Sequence, residues 1–108
     1  MNLPTEIFEG VVVAHAPDEL VHDQAAALAS FLTGLERRKV VFDLDRAELI
    51  ESECLEAILT AQEELRAKDG DLKIAVSNPT NRTILEVTRL NEQLEVFESL
   101  VDAVRSFR

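Results

Sequence analysis

The stretch KVVFDLDRAELIESECLEAILTAQEELRAKDGDLKIAV, from Lys39 to Val76, decides how this chain folds. It opens on KVVFDL (Lys39 to Leu44), an apolar run of strand length, and closes on LKIAV (Leu72 to Val76), which alternates as a strand does. Between them the loop DRAELIE leads into a helix predicted from about Ser52 to Lys68. Its core stripe is Leu55, Ile58, Leu59 and Leu65. Gly70 reads as the left-handed stop after that helix. A strand, a helix and a second strand in this order imply parallel pairing through a right-handed crossover.

The pattern extends outward on both sides. IFEGVVVA, from Ile7 to Ala14, is rich in β-branched residues and reads as one strand, with Ile7, Val11 and Val13 on one side. Pro17 and Asp18 break it. Val21, Ala25, Leu28, Leu32 and Leu35 then recur at steps of three and four, predicting a helix from about Leu20 to Leu35 with Gly34 near its end. Past Val76, Asn78 and Pro79 have the order of a cap and a first-turn proline, opening a shorter helix that carries Ile84, Val87 and Leu90. LEVFE, from Leu94 to Glu98, reads as a last strand. Ser99 opens a terminal helix in which Leu100, Val104 and Phe107 face inward, and Asp102 completes a capping box. The order β-α-β-α-β-α-β-α gives an α/β fold: four to five strands in a mostly parallel, mixed sheet, with four helices, in one domain over residues 1–108.

Bulk properties agree. A chain of 108 residues with 46% apolar content can bury a core without disulfides or metal. The single cysteine, Cys54, suits a reducing compartment. The first residues, MNLPTEIFEG, lack the pattern of a signal peptide, and no apolar run reaches membrane-spanning length. A soluble, cytoplasmic protein is expected. The net charge of −10 would repel phosphate backbones and anionic lipid surfaces, so neither nucleic-acid binding nor membrane insertion is expected.

Few residues carry chemistry. His15 and His22 have no cysteine pair and no metal-ligand spacing, so no metal site is expected and both read as solvated or structural. Cys54 reads as a small core residue, because Glu51 and Glu53 would oppose a thiolate. No glycine-rich phosphate loop exists, and no cofactor is expected. The strand ending Asp43-Leu44-Asp45 resembles the first motif of the haloacid-dehalogenase phosphotransferases, which would imply a Mg²⁺-dependent enzyme using Asp43 and Asp45. The likeness stops at Arg46 and Ala47, which stand where that family has small turn residues and a threonine or valine. The bland reading is that both aspartates end a strand or cap a turn.

Ser52 stands between Glu51 and Glu53 at the start of the second helix, and serine is among the best helix caps. The position also follows the carboxyl end of a central strand, where open α/β sheets place their sites. A phosphate there would meet free backbone N–H groups and add about −1.5 to −2 charges.

The whole chain from about Ile7 resembles the STAS domain, the fold of bacterial anti-sigma-factor antagonists. The likeness rests on KVVFDLDRAELIESECLEAILTAQEELRAKDGDLKIAV and on LNEQLEVFESLVDAVRSF near the carboxyl end. By position, Ser52 falls on that family's phosphorylated serine and Leu55 on its buried leucine. Glu51 replaces the usual aspartate, Glu53 the second hydroxyl residue, and Cys54 the glycine. The resemblance implies a non-catalytic protein–protein interaction domain in bacterial cytoplasm, docking its partner through Asp45, Arg46, Glu48, Glu51, Ser52 and Glu53. The implied partners are an anti-sigma-factor serine kinase, a stress-signalling complex, or the ATPase of a lipid-transport ABC system. A homodimer is compatible with it. The two glutamates bias this corner toward a fixed, phosphate-like acidity rather than a phosphorylation cycle.

Overall fold

The computed structural model describes residues 1–108. Its central sheet has five strands. The β1 strand (Thr5–Phe8) lies antiparallel to β2 (Val11–His15). Then β4 (Lys39–Asp43), β6 (Asp71–Ala75) and β7 (Val96–Phe97) continue the sheet in parallel. Two short strands outside it, β3 (Glu19–Leu20) and β5 (Leu49–Ile50), pair in parallel with each other. The helices are α1 (Ala25–Thr33), α2 (Ser52–Arg66), α3 (Pro79–Val87) and α4 (Leu100–Arg105). The four helices and the mixed five-stranded sheet agree with the sequence reading.

The two faces of the sheet are covered unequally. Val12, Ala14, Val40, Phe42, Leu72 and Ile74 point to one face. They pack with Leu28 and Leu32 of α1, Leu55, Ile58 and Leu65 of α2, and Leu85 of α3, in a cluster of 24 buried residues. Val11, Val13, Val41 and Ala75 point to the other face and form a cluster of 6 with Ala103 and Val104 of α4, against which Phe97, Leu100 and Phe107 also pack. Burial on both faces is why β2 and β4 read as unbroken apolar runs. Beside α4, the Lys73 ammonium donates to the Ser106 carbonyl and hydroxyl, pairs with Glu95 at 3.0 Å, and lies 4.3 Å from the Phe107 ring centre.

Several details differ from the sequence reading. The run Ile7 to Ala14 is a hairpin rather than one strand, because Glu9 and Gly10 both take positive φ, 54° and 81°, and so form a tight two-residue turn. Ile7 therefore stands opposite Val12 and is 43% exposed, instead of sharing a side with Val11 and Val13. The first helix begins at Ala25, since Glu19–Leu20 pairs with β5 and His22–Gln24 forms a 3₁₀ turn. In α2 the stripe is joined by Cys54, Ala57, Ala61 and Gln62, while Leu59 is half-buried. The left-handed residue after α2 is Asp69, at φ 65°, rather than Gly70. Gly70 is required for space: a Cβ there would lie 2.2 Å from the Arg38 carbonyl oxygen. In α3 the buried positions are Asn81 and Leu85, and Val87 is 76% exposed. Asn78 and Ser99 do cap their helices, the first accepting from the Thr80 amide at 2.9 Å and the second from the Asp102 amide at 3.1 Å.

Candidate functional site

The carboxyl ends of β2, β4 and β6 form one rim of the sheet. There β4 runs into the loop Leu44–Glu48 and then into β5 and α2. The segment Asp18–His22 holds that connection in place. Asp18 accepts from the Glu48 amide at 2.6 Å, the Leu20 carbonyl from the Glu51 amide at 2.9 Å, and the Val21 carbonyl from the Cys54 thiol at 3.2 Å. The entry to α2 is therefore buttressed from a part of the chain some thirty residues earlier.

Ser52 does not cap α2. Glu51 occupies the cap position, with extended backbone (φ −82°, ψ 153°), and Ser52 is already the first helical residue. The Ser52 hydroxyl is exposed and donates to Glu53 Oε1 at 3.0 Å. Glu51 makes no cap bond either. One of its oxygens instead accepts from the His22 amide at 2.7 Å and from His22 Nδ1 at 3.1 Å. These bonds hold the Glu51 carboxyl below its ordinary range, the amide bond contributing most, and they raise the pKa of His22. Burial first, then the charges of Glu51, Glu53 and Asp23, raise the Cys54 thiol, so it stays protonated and packed in the core.

Asp43 and Asp45 serve as structural acceptors. Asp43 Oδ1 accepts from the Asp45 amide at 3.0 Å, and Oδ2 faces His15 Nδ1 at 2.8 Å. Asp45 accepts from the Ser77 amide at 2.6 Å, the Ser77 hydroxyl at 3.0 Å and the Asn78 amide at 3.0 Å, tying the β4 loop to the entry of α3. Asn81 locks the same loop from below, donating from Nδ2 to the Leu44 and Ala47 carbonyls, both at 2.8 Å. No three His, Cys, Asp or Glu side chains converge as a metal-holding group.

Asp45, Arg46 and Glu48 line an open cavity of about 510 Å³ together with Asp18, Asn78 and Asn81. Glu51, Ser52 and Glu53 are not in its lining; they stand with His22 at the entry to α2. The expected residues thus fall into two neighbouring groups joined by β5. His22, Asp18, Asn78 and Asn81 were missed as members of this region, because each joins it through a contact with a distant part of the chain and none sits in a local motif.

The sequence pattern of the STAS domain family matches residues 2–103. The chain belongs to the STAS domain family. Several solved structures share its fold. An anti-sigma factor antagonist from Mycobacterium paratuberculosis superposes with a TM-score of 0.83 at 22% identity, covering 97% of this chain and 92% of that one. The Bacillus cell fate determinant SpoIIAA in its phosphorylated form gives 0.66 at 18% identity, with 99% and 100% covered. A sulfate transporter family protein from Wolinella succinogenes gives 0.77 at 17% identity, with 94% and 87% covered. At these identities the likenesses show the STAS fold alone. No curated protein matches the chain by sequence. No helix of this STAS domain is long and apolar enough to cross a membrane.

Proposed function

We propose that this chain is a single STAS domain that works as a non-catalytic docking module in bacterial cytoplasm. It presents the entry of α2 and the β4 loop to a protein partner. The observation that carries the reading is the Ser52 hydroxyl, exposed at the first position of α2 and engaged by a neighbouring carboxylate. Glu51 and Glu53 flank it in the chain, and Asp45, Arg46 and Glu48 line the cavity of the neighbouring β4 loop. The partner class is an anti-sigma-factor serine kinase, a stress-signalling assembly or a transport ATPase.

Ser52 is the phosphorylation candidate, and its setting disfavours phosphate. Two like charges about 4 Å apart in water repel by roughly 1 kcal/mol, so Glu51 and Glu53 each oppose a phosphoserine modestly. Glu53 also occupies the hydroxyl that a kinase must reach. The corner is acidic without modification.

Two experiments test the reading. Partners captured from the native cytoplasm are compared for the wild type, Ser52→Ala and Glu53→Ser; loss of no partner in either variant removes the docking face. Incubation with an anti-sigma-factor kinase and ATP is expected to label Glu53→Ser more than the wild type. Complete labelling of wild-type Ser52 would overturn the fixed-acid reading. The phosphotransferase alternative is checked with a phosphatase assay: Mg²⁺-dependent activity abolished by Asp43→Asn would replace the docking reading with an enzymatic one.

A further inference from the structure

His15, the last residue of β2, has a carboxylate at each ring nitrogen. Nδ1 lies 2.8 Å from Asp43 Oδ2 on β4, and Nε2 lies 2.7 Å from Glu6 Oε1 on β1. A carboxylate oxygen only accepts, and a neutral imidazole has one N–H. Both contacts hold together only when the ring is an imidazolium. Glu6 from β1 and Asp43 from β4 are the charged groups that face it.

We propose that His15 is a proton-operated clip that fastens the edge strand β1 to the centre of the sheet. The side chains differ in burial, at 53% exposed for Glu6, 17% for His15 and 11% for Asp43, and this decides which nitrogen gives up its proton. Asp43 is enclosed and its other oxygen is committed to the Asp45 amide, so it keeps the Nδ1–H bond. Glu6 can turn to water. Deprotonation therefore breaks the Nε2–H bond to Glu6 and releases one proton to solvent. The neutral ring stays attached to Asp43, and β1 loses its side-chain tie while the β4 loop keeps its cap. The device is independent of whether the Ser52 corner docks a partner.

Burial lowers the His15 pKa, but the bonds and charges of Asp43 and Glu6 outweigh it, and the pKa lies above the ordinary 6.5. The clip is fully engaged below the unfolded value and opens as pH rises through the folded one.

The test uses the ¹⁵N-labelled chain, following the ring nitrogens and the amide protection of the β1–β2 ladder from below to well above neutral pH. The expected midpoint exceeds 6.5, with the unprotonated-nitrogen signal appearing at Nε2. Ladder protection, corrected for the intrinsic rise of exchange with pH, should fall about two- to fivefold across that midpoint. Glu6→Gln, at a half-exposed position that leaves the core intact, should lower the midpoint and remove the pH dependence of the ladder. A proton lost from Nδ1, a midpoint at or below 6.5, or ladder protection indifferent to the His15 midpoint would each overturn the proposal.

Discussion

Glu51 holds His22 through a single carboxylate oxygen, 2.7 Å from its amide nitrogen and 3.1 Å from its ring Nδ1. A carboxyl bonded in this way titrates below its ordinary value of 4.5. Its contribution to stability is present above the unfolded pKa and is lost as pH falls through the lowered folded one. His22→Ala keeps the amide bond, which is the larger cause, and removes the ring bond. The Glu51 midpoint should then rise only part of the way toward 4.5, as read from side-chain carboxyl NMR shifts. A full return would mean that the ring alone set the shift.

Ser52 and Ser99 both precede or open helices, but only Ser99 accepts a cap bond. Ser99→Ala should cost about 1 kcal/mol. Ser52→Ala should stay within about 0.5 kcal/mol of the wild type. Urea unfolding of the two variants side by side decides the matter, and equal losses would restore Ser52 as a cap.

Asn81 is buried and spends both amide hydrogens on the β4 loop. Asn81→Ala strips the Ala47 carbonyl of that donor, while the Leu44 carbonyl retains the Ala47 amide at 3.2 Å. The expected loss is about 1–3 kcal/mol, the cost of a buried polar group left unpaired. Hydrogen exchange should speed up at Asp45 and Ala47 before it does so in the central strands.

Gly70 and Gly10 should respond to alanine for different reasons. At Gly70 the new methyl would collide with the Arg38 backbone, so the cost is overpacking, about 1–3 kcal/mol or more. It should also break the Asp71 amide bond to the Arg38 carbonyl. At Gly10 there is open space but φ is +81°, and the cost is that of a left-handed alanine, about 1–2 kcal/mol. Thermal melts give the sizes, and amide exchange at Asp71 separates the two causes.

The architecture was legible because β4, α2 and β6 carry strong, continuous patterns that tertiary context does not override. The β1–β2 hairpin was not legible, because one half of its turn is Glu9, a residue that gives no turn signal. β3 and β5 have two residues each and exist only through pairing across thirty positions. At the site, the acidic corner and its serine were readable from Glu51-Ser52-Glu53. The offset by one residue that takes the cap position away from Ser52 was not. It depends on β5 ending at Ile50 and on Glu51 being drawn to His22. The partners of Asp45 were equally hidden, since Ser77 and Asn78 reach it only after β6 has been laid beside β4.

The unequal covering of the sheet bears on how the molecule is made. Val11, Val13, Val41 and Ala75 belong to strands synthesised before α4, yet their shelter comes mainly from α4 and its flanks, which emerge after all of them. Until that helix arrives, a nascent chain with its front face already packed would show a bare row of valines to its surroundings. Lys73, which in the folded protein meets Ser106 and Phe107, puts a charge into that row, the kind of residue that breaks up a transiently exposed apolar segment.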